Sequence, residues 1–305
     1  MGKNTPARTC GKEELMTEEM KRKIGQMFML LAPNKDPEGE FAAFCRDYRI
    51  GNYALSSKNC LSMSEMCEQV SALRKATYET TGEYPFINID QEGGWVTRLY
   101  EGGALISGAM SYAASGADRE KMTDVGRRLG RILRATGCNM NNAPVLDVNL
   151  DPNNPIIGTR AYGDEPEKVA ELGVGFARGL EAEGVLAAVK HFPGHGNVSS
   201  DTHLGAAHNA RDKETLKKTE FLPFARAFDA GIGATMASHV IFDAYDTEPT
   251  ILSYELMTKL LRDEMGFDGV AVTDAMEMKA VRNERYPKGE AAVWAILAGC
   301  DILLY

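Results

Sequence analysis

Short apolar or β-branched runs alternate along the chain with longer stretches in which apolar residues recur at helical spacing. This is the pattern of repeated strand–helix units around a parallel sheet. Eight runs qualify as strands, at residues 27–31, 52–55, 86–90, 141–146, 187–190, 234–238, 269–273 and 301–305. Between them the helical period marks residues 62–80, 118–136, 165–183, 212–229 and 253–264, several opening on Ser, Asp or Glu as helix N-termini prefer. Gly137, Gly184, Gly231 and Gly266 each close such a stretch, where a left-handed cap favours a residue without Cβ. Eight units punctuated in this way predict a (β/α)8 barrel of the α/β class. A doubly wound sheet is the alternative that pattern alone leaves open.

The eighth strand stops at Tyr305 and no helix follows it. The expectation is therefore one catalytic barrel over 1–305 that lacks its last helix, with any C-terminal domain outside the chain and the apolar side chains of 301–305 partly uncovered. A hydrophobic fraction of 44% and a charged fraction of 25% are ordinary for a globular protein and exclude disordered and fibrous classes. Charge adds one exclusion: 34 Lys and Arg stand against 43 Asp and Glu, a net −9 with no basic cluster, which argues against a nucleic-acid partner. The Lys- and Glu-rich start lacks the apolar core of a secretory leader, and no later run has the roughly 18 apolar residues of a membrane span. The expected location is cytoplasmic, with no membrane partner. Six cysteines without a CxxC pair read as reduced thiols.

In a barrel of this kind chemistry gathers at the C-terminal ends of the strands. Strand three runs into Asp90-Gln91-Glu92-Gly93-Gly94 with Arg98 behind it, and strand four into Asp147, its long loop carrying Arg160. Strand five ends in Lys190-His191, strand six in His239 and strand seven in Asp274. One face thus collects both charges and histidines. A carboxylate at Asp274 is placed to attack an anomeric carbon and form a glycosyl ester, although by position alone it serves equally as a cap for the next helix.

The most informative stretch runs from Lys190 to His203 and reads Lys-His-Phe-Pro-Gly-His-Gly-Asn-Val-Ser-Ser-Asp-Thr-His. It resembles the strand-five loop of family 3 glycoside hydrolases, in the branch of bacterial β-N-acetylglucosaminidases. Asp-Gln-Glu-Gly-Gly at 90–94, Ala-Pro-Val-Leu-Asp-Val-Asn at 143–149 and Val-Thr-Asp-Ala-Met-Glu-Met at 272–278 extend the resemblance over most of the chain. The resemblance implies a retaining hydrolase that cleaves terminal β-linked N-acetylglucosamine without a cofactor. Its partner would be a small saccharide such as a peptidoglycan fragment. Residue by residue it implies Asp274 as nucleophile and His203 as acid/base with Asp201 beside it. It also implies Asp90, Arg98, Arg160, Lys190 and His191 as ligands of the sugar hydroxyls. Two positions depart from the family pattern, Asn197 where Asp is usual and Thr202 where Ser is usual, and they bear on loop geometry. A histidine with an ordinary pKa of about 6.5 suits the donation and later acceptance of a proton. Pro193, Gly194 and Gly196 suit a loop that moves over substrate, as they suit a plain surface loop.

Four rival readings remain. His191, His195 and His203 with Asp201 form a candidate metal set, but their spacing is not helical, and Lys190 and His191 at a strand end should face opposite ways. No metal is expected. Dinucleotide binding lacks a Gly-x-Gly-x-x-Gly after a strand. A barrel that binds saccharide without cleaving it is a different class, against which the presence of both Asp274 and His203 argues. Among enzymes of the branch the alternative is a phosphorylase, with phosphate as glycosyl acceptor. His208, His239, Trp95 and Tyr162 stay outside the expected site.

Overall fold

The computed structural model describes residues 17–33, 39–198, 207–287 and 289–305. Its elements run α1 (Glu18–Gln26), β1 (Phe28–Leu31), α2 (Glu40–Tyr48), β2 (Asn52–Leu55), α3 (Met63–Thr81), β3 (Ile87–Ile89), α4 (Ala109–Ala114), α5 (Arg119–Ala135) and β4 (Met140–Asn141). They continue α6 (Pro166–Ala182), β5 (Leu186–Phe192), β6 (Ala207–Asn209), α7 (Lys213–Lys218), α8 (Leu222–Asp229), β7 (Ala234–Ala237), β8 (Val240–Phe242), β9 (Val270–Thr273), α9 (Glu290–Ala298) and β10 (Leu303–Leu304). A further helix with π-type winding spans Glu255–Glu264.

Eight parallel strands lie in the order β1-β2-β3-β4-β5-β7-β9 with β10 paired back on β1, Phe28 opposite Leu303. The seam between β9 and β10 is joined by a bridge from Val272 to Ile302, with Thr273 N donating to Ile302 O at 2.9 Å. The barrel, not the open sheet, is the fold. All eight expected strands are present, and the helix starts are fixed by caps: Ser62 accepts from Glu65 N at 3.2 Å and Asp118 from Lys121 N at 2.8 Å. Gly137 and Gly184 close α5 and α6 with φ of 87° and 78°, the conformation expected of them.

Three local differences have physical causes. Strand four is two residues long because Pro144 has no N–H to continue the ladder, and pairing returns only at Val145 with Lys190. The expected single helix over 212–229 is α7 and α8, because Pro223 is tolerated only in the first turn of a new helix. Ile302 and Leu303 are not left uncovered. Ile302 joins the barrel interior and Leu303 the layer beneath the helices, and each is buried. Leu304 and Tyr305 are half-buried, as expected, and the more exposed apolar side chains near the chain's end lie on α9, at Val293, Trp294 and Leu297.

Alternation along the strands sends Met29, Ala54, Met140, Ala188, Ala234, Val272 and Ile302 into one interior cluster. Asn88 of β3 joins them, donating to Asn142 Oδ1 at 2.8 Å. The opposite faces pack on the helices, α5 and α6 lying so close that a Cβ on Gly179 would stand 2.3 Å from Thr123 O and 2.7 Å from Arg127 N. Backbone atoms cannot rotate away. Gly179→Ala gains up to about 1 kcal/mol of helix propensity, and the overpacking costs about 1–3 kcal/mol. A lower urea midpoint at unchanged m is the expected result, and a midpoint equal to or above that of the wild type would overturn the packing argument.

Candidate active site

Two residues beyond each interior position, the same alternation brings Leu31, Ser56, Asp90, Asn142, Lys190, Met236, Asp274 and Leu304 to the mouth of the barrel. All eight line one cleft. Strand period alone therefore places Asp90, Lys190 and Asp274 together. His191 lines the cleft as well, which corrects the expectation that it faces away from Lys190. The register of β5 on β7 slips between Lys190 and Phe192, so the bulged residue turns toward the side it would otherwise leave.

Each group is held by its neighbours. Asn141 pins the Gln91 backbone at both N (2.9 Å) and O (3.0 Å). The buried Gln91 side chain accepts from Arg98 N at 2.8 Å and Leu99 N at 3.0 Å, so the chain turns back and presents Arg98 to Asp90 at 3.4 Å. Lys190 Nζ reaches Asp90 at 3.1 Å and Glu92 at 2.7 Å. Glu92 also accepts two bonds from Arg160, at 2.9 and 2.8 Å. Burial opposes charge on Asp90, but Lys190 and Arg98 outweigh it and hold the carboxyl down at about 2. Burial likewise opposes the charge on Glu92 and on Lys190, and in each case the opposite charges prevail. Glu92 stays below the usual carboxylate range and Lys190 above the usual lysine value.

Asp147 is the second buried anchor. Its carboxylate meets His191 Nδ1 at 2.6 Å and accepts from His195 N at 2.6 Å. With Nδ1 against a carboxylate, His191 turns Nε2 toward Arg160 Nη2, at 3.4 Å. The Gly-His-Gly turn does not lie on the surface. Pro193, Gly194, His195 and Gly196 are all buried, and a Cβ on Gly196 would stand 1.7 Å from Val148 O. Its glycines serve close approach: Gly196 O accepts from Leu150 N and Asp151 N, while Asn154 Nδ2 donates to His195 O at 2.7 Å.

Asp274 takes one hydrogen bond among the described residues, from Ala275 N to Oδ1 at 2.7 Å. Among the described residues no helix begins after it before α9, so it is not a helix cap. Burial raises its pKa, and the charges of His239 and His191 more than reverse this, keeping the carboxyl below its ordinary value. His239 Nε2 lies 3.0 Å from Ala275 O, so this nitrogen carries the proton and the ring braces the turn on which Asp274 stands.

Asp90, Arg98, Arg160, Lys190, His191 and Asp274 thus converge on one cleft, while Asp201 and His203 lie outside the described residues. Glu92 and Asp147 had no expected role, though each stood inside a quoted motif; the unusual run of charges at strand ends three and four was the signal. Among the described residues no group of three His, Cys, Asp or Glu side chains is arranged to hold a metal.

Burial and the nearby His191 push the His195 ring down to about 4. The unfolded chain binds this proton near pH 6.5, so the stability it contributes is complete above about 6.5 and is lost as pH falls through about 4. At about 1.4 kcal/mol per pH unit this amounts to about 3 kcal/mol. Thermal melts across that window should show Tm falling with acidification in the wild type and falling less in His195→Asn. Parallel profiles would assign the acid sensitivity to other groups.

Residues 19–305 match the family model described as the N-terminal domain of glycosyl hydrolase family 3. A β-hexosaminidase A of Pseudoalteromonas piscicida is 33% identical over 97% of this chain and 54% of its own length. A β-hexosaminidase of Xylella fastidiosa is 35% identical over 85% of this chain and 77% of its own. Among solved structures, a family 3 β-N-acetylglucosaminidase from Paenibacillus sp. superposes with a TM-score of 0.90 at 38% identity, over 93% of this chain and 54% of that one. The chain spans about half the length of the Pseudoalteromonas and Paenibacillus proteins. No helix among the described residues is long and apolar enough to cross a membrane. With the family model covering nearly all of it and a relative 35% identical over most of both chains, the chain belongs to glycosyl hydrolase family 3.

Proposed function

We propose that this barrel is the catalytic domain of a retaining β-N-acetylglucosaminidase acting on small saccharides, with Asp274 as nucleophile and His203, oriented by Asp201, as acid/base. One observation carries the reading. Around the cleft Asp90, Glu92 and Asp147 have both oxygens engaged and the exposed Glu277 pairs with Arg282, whereas Asp274 Oδ2 has no hydrogen bond and no ion pair among the described residues. An ionised, partly exposed oxygen at the barrel mouth is what attack on an anomeric carbon requires. The names of the relatives, β-hexosaminidases and a β-N-acetylglucosaminidase, support N-acetylglucosamine as the sugar removed.

In the first step Asp274 Oδ2 bonds to the anomeric carbon, the glycosidic C–O bond breaks, and its electron pair goes to the departing oxygen, which takes a proton from His203. Water then gives that proton equivalent back to His203, attacks the same carbon and releases Asp274. Asp90, Arg98, Lys190, Arg160 and His191 would bind the ring hydroxyls, Asp90 as acceptor and the cations as donors. Aryl N-acetylglucosaminide should accordingly be turned over with a higher kcat/KM than aryl glucoside; equal or better use of the glucoside would refute the assigned sugar.

Asp274→Asn should lose activity on every substrate alike. His203→Ala should depend on the leaving group: a general acid contributes about 10²–10⁴-fold where the departing alcohol is poor, and much less for nitrophenol. The variant also lacks the base that activates water, so the glycosyl-enzyme should accumulate and azide should restore turnover of the activated substrate. Equal losses on both classes of leaving group, with no burst and no azide effect, would remove His203 from the role.

A further inference from the structure

Trp95 is 86% exposed, more than any other large apolar side chain among the described residues. Single exposed apolar residues ordinarily need no account. This one occupies a particular place. Gly93 and Val96 form an antiparallel bridge, so Gly94 and Trp95 are the tip of a two-residue turn, and Glu92 and Val96 beside that tip line the cleft.

The turn is fixed from below. Gly93 and Gly94 take φ of 94° and 56°, Gly94 N donates to Ile106 O at 3.0 Å, and Thr97 Oγ1 donates to Gly94 O at 3.1 Å. A Cβ on Gly94 would stand 2.9 Å from Gly108 Cα, so the tip rests directly on the neighbouring backbone. A braced backbone turn therefore holds an indole out in solvent next to Val96, which lines the cleft, so little backbone ordering is lost when something binds there.

The cleft floor is polar, with Asp90, Glu92, Arg98, Arg160 and Lys190 paired with one another, which suits a ring recognised by its hydroxyls. The rim offers a flat apolar face, which suits the C–H face of a second pyranose ring leaving through the mouth. We propose that Trp95 is the stacking platform for the sugar unit on the leaving-group side of the scissile bond, making the rim a saccharide subsite. The proposal rests on the reading of the cleft as a glycosidase site.

Two substrates test it: N,N′-diacetylchitobiose, whose leaving group is a pyranose, and N-acetyl-β-glucosaminyl fluoride, whose leaving group has no ring. Trp95→Ala should lower kcat/KM on the disaccharide by about five- to tenfold, the size of an aromatic stacking contact, and leave the fluoride within about twofold. Trp95→Phe should retain most of the disaccharide activity. Equal losses on both substrates, or no loss on either, would overturn the platform. Binding gives a second readout, because the chain has 2 Trp and the other, Trp294, lies on α9. In an Asp274→Asn, Trp294→Phe background, saturable quenching or shift of Trp95 emission by diacetylchitobiose is expected. Unchanged emission where calorimetry shows saturation would overturn it. Failure of the glycosidase reading is a distinct result, a wild-type protein inert toward the fluoride as well, and it would remove the platform with it.

Discussion

The buried carboxylate of Glu92 is the constraint on which the site depends. It accepts two bonds from Arg160, carried by the loop after β4, and pairs with Lys190 of β5, so that one side chain joins three successive strand ends. Two cations and an anion withdrawn from water are stable only when their hydrogen bonds are nearly complete, and removal of one member of such a set costs about 3–5 kcal/mol. Everything else is registered against this triad. Lys190 carries Asp90, Asp90 carries Arg98, and Arg160 faces Nε2 of the His191 ring that Asp147 holds. The cleft is thereby preformed, its polar groups positioned by one another before any saccharide enters.

The fold was legible because its determinants are local. Alternation set the interior positions from Met29 to Ile302, and the same alternation, carried two residues on, names Asp90, Lys190 and Asp274 as mouth residues. Helix starts at Ser62 and Asp118 could be read from the capping residues themselves. What escaped is what depends on pairing through space. Glu92 meets Arg160 across 68 positions and Asp147 meets His191 across 44, and no periodicity relates such residues. Both pairings involve groups that hold other groups, a task leaving no spacing signature. His191 was misplaced for a related reason: parity reasoning assumes an unbroken ladder, and the ladder of β5 slips at that residue.

Close backbone approach explains the glycines that composition left ambiguous. Gly194 and Gly196 could be read as hinges, yet a Cβ on the first would stand 2.7 Å from Glu220 Cβ and on the second 1.7 Å from Val148 O. Here the missing side chain tightens the structure. It lets His195 N reach Asp147 and lets the 148–151 segment bond to Gly196 O, which ties the loop after β4 to the loop after β5. The same device joins α5 to α6 through Gly126 and Gly179. A glycine reads as freedom or as contact only once its neighbours are known, and those neighbours come from elsewhere in the chain.

The charge balance of the cleft bears on its chemistry. Asp90, Glu92, Asp147 and Asp274 are four carboxylates, each held below its ordinary pKa, and Arg98, Arg160 and Lys190 are three cations. The cations sit against Asp90 and Glu92, and Asp147 is saturated by the N–H groups of His191 and His195. Of these four, the one without an ion-pair partner among the described residues is Asp274. A glycosidic bond breaks through a transition state whose positive charge spreads over the ring oxygen and the anomeric carbon. With Asp274 as the proposed nucleophile, its carboxylate would stabilise that transition state more than the neutral ground state, and differential stabilisation of this kind is what raises a rate. Pairing Asp274 as tightly as its neighbours would weaken that difference, so its few partners among the described residues fit the role proposed for it.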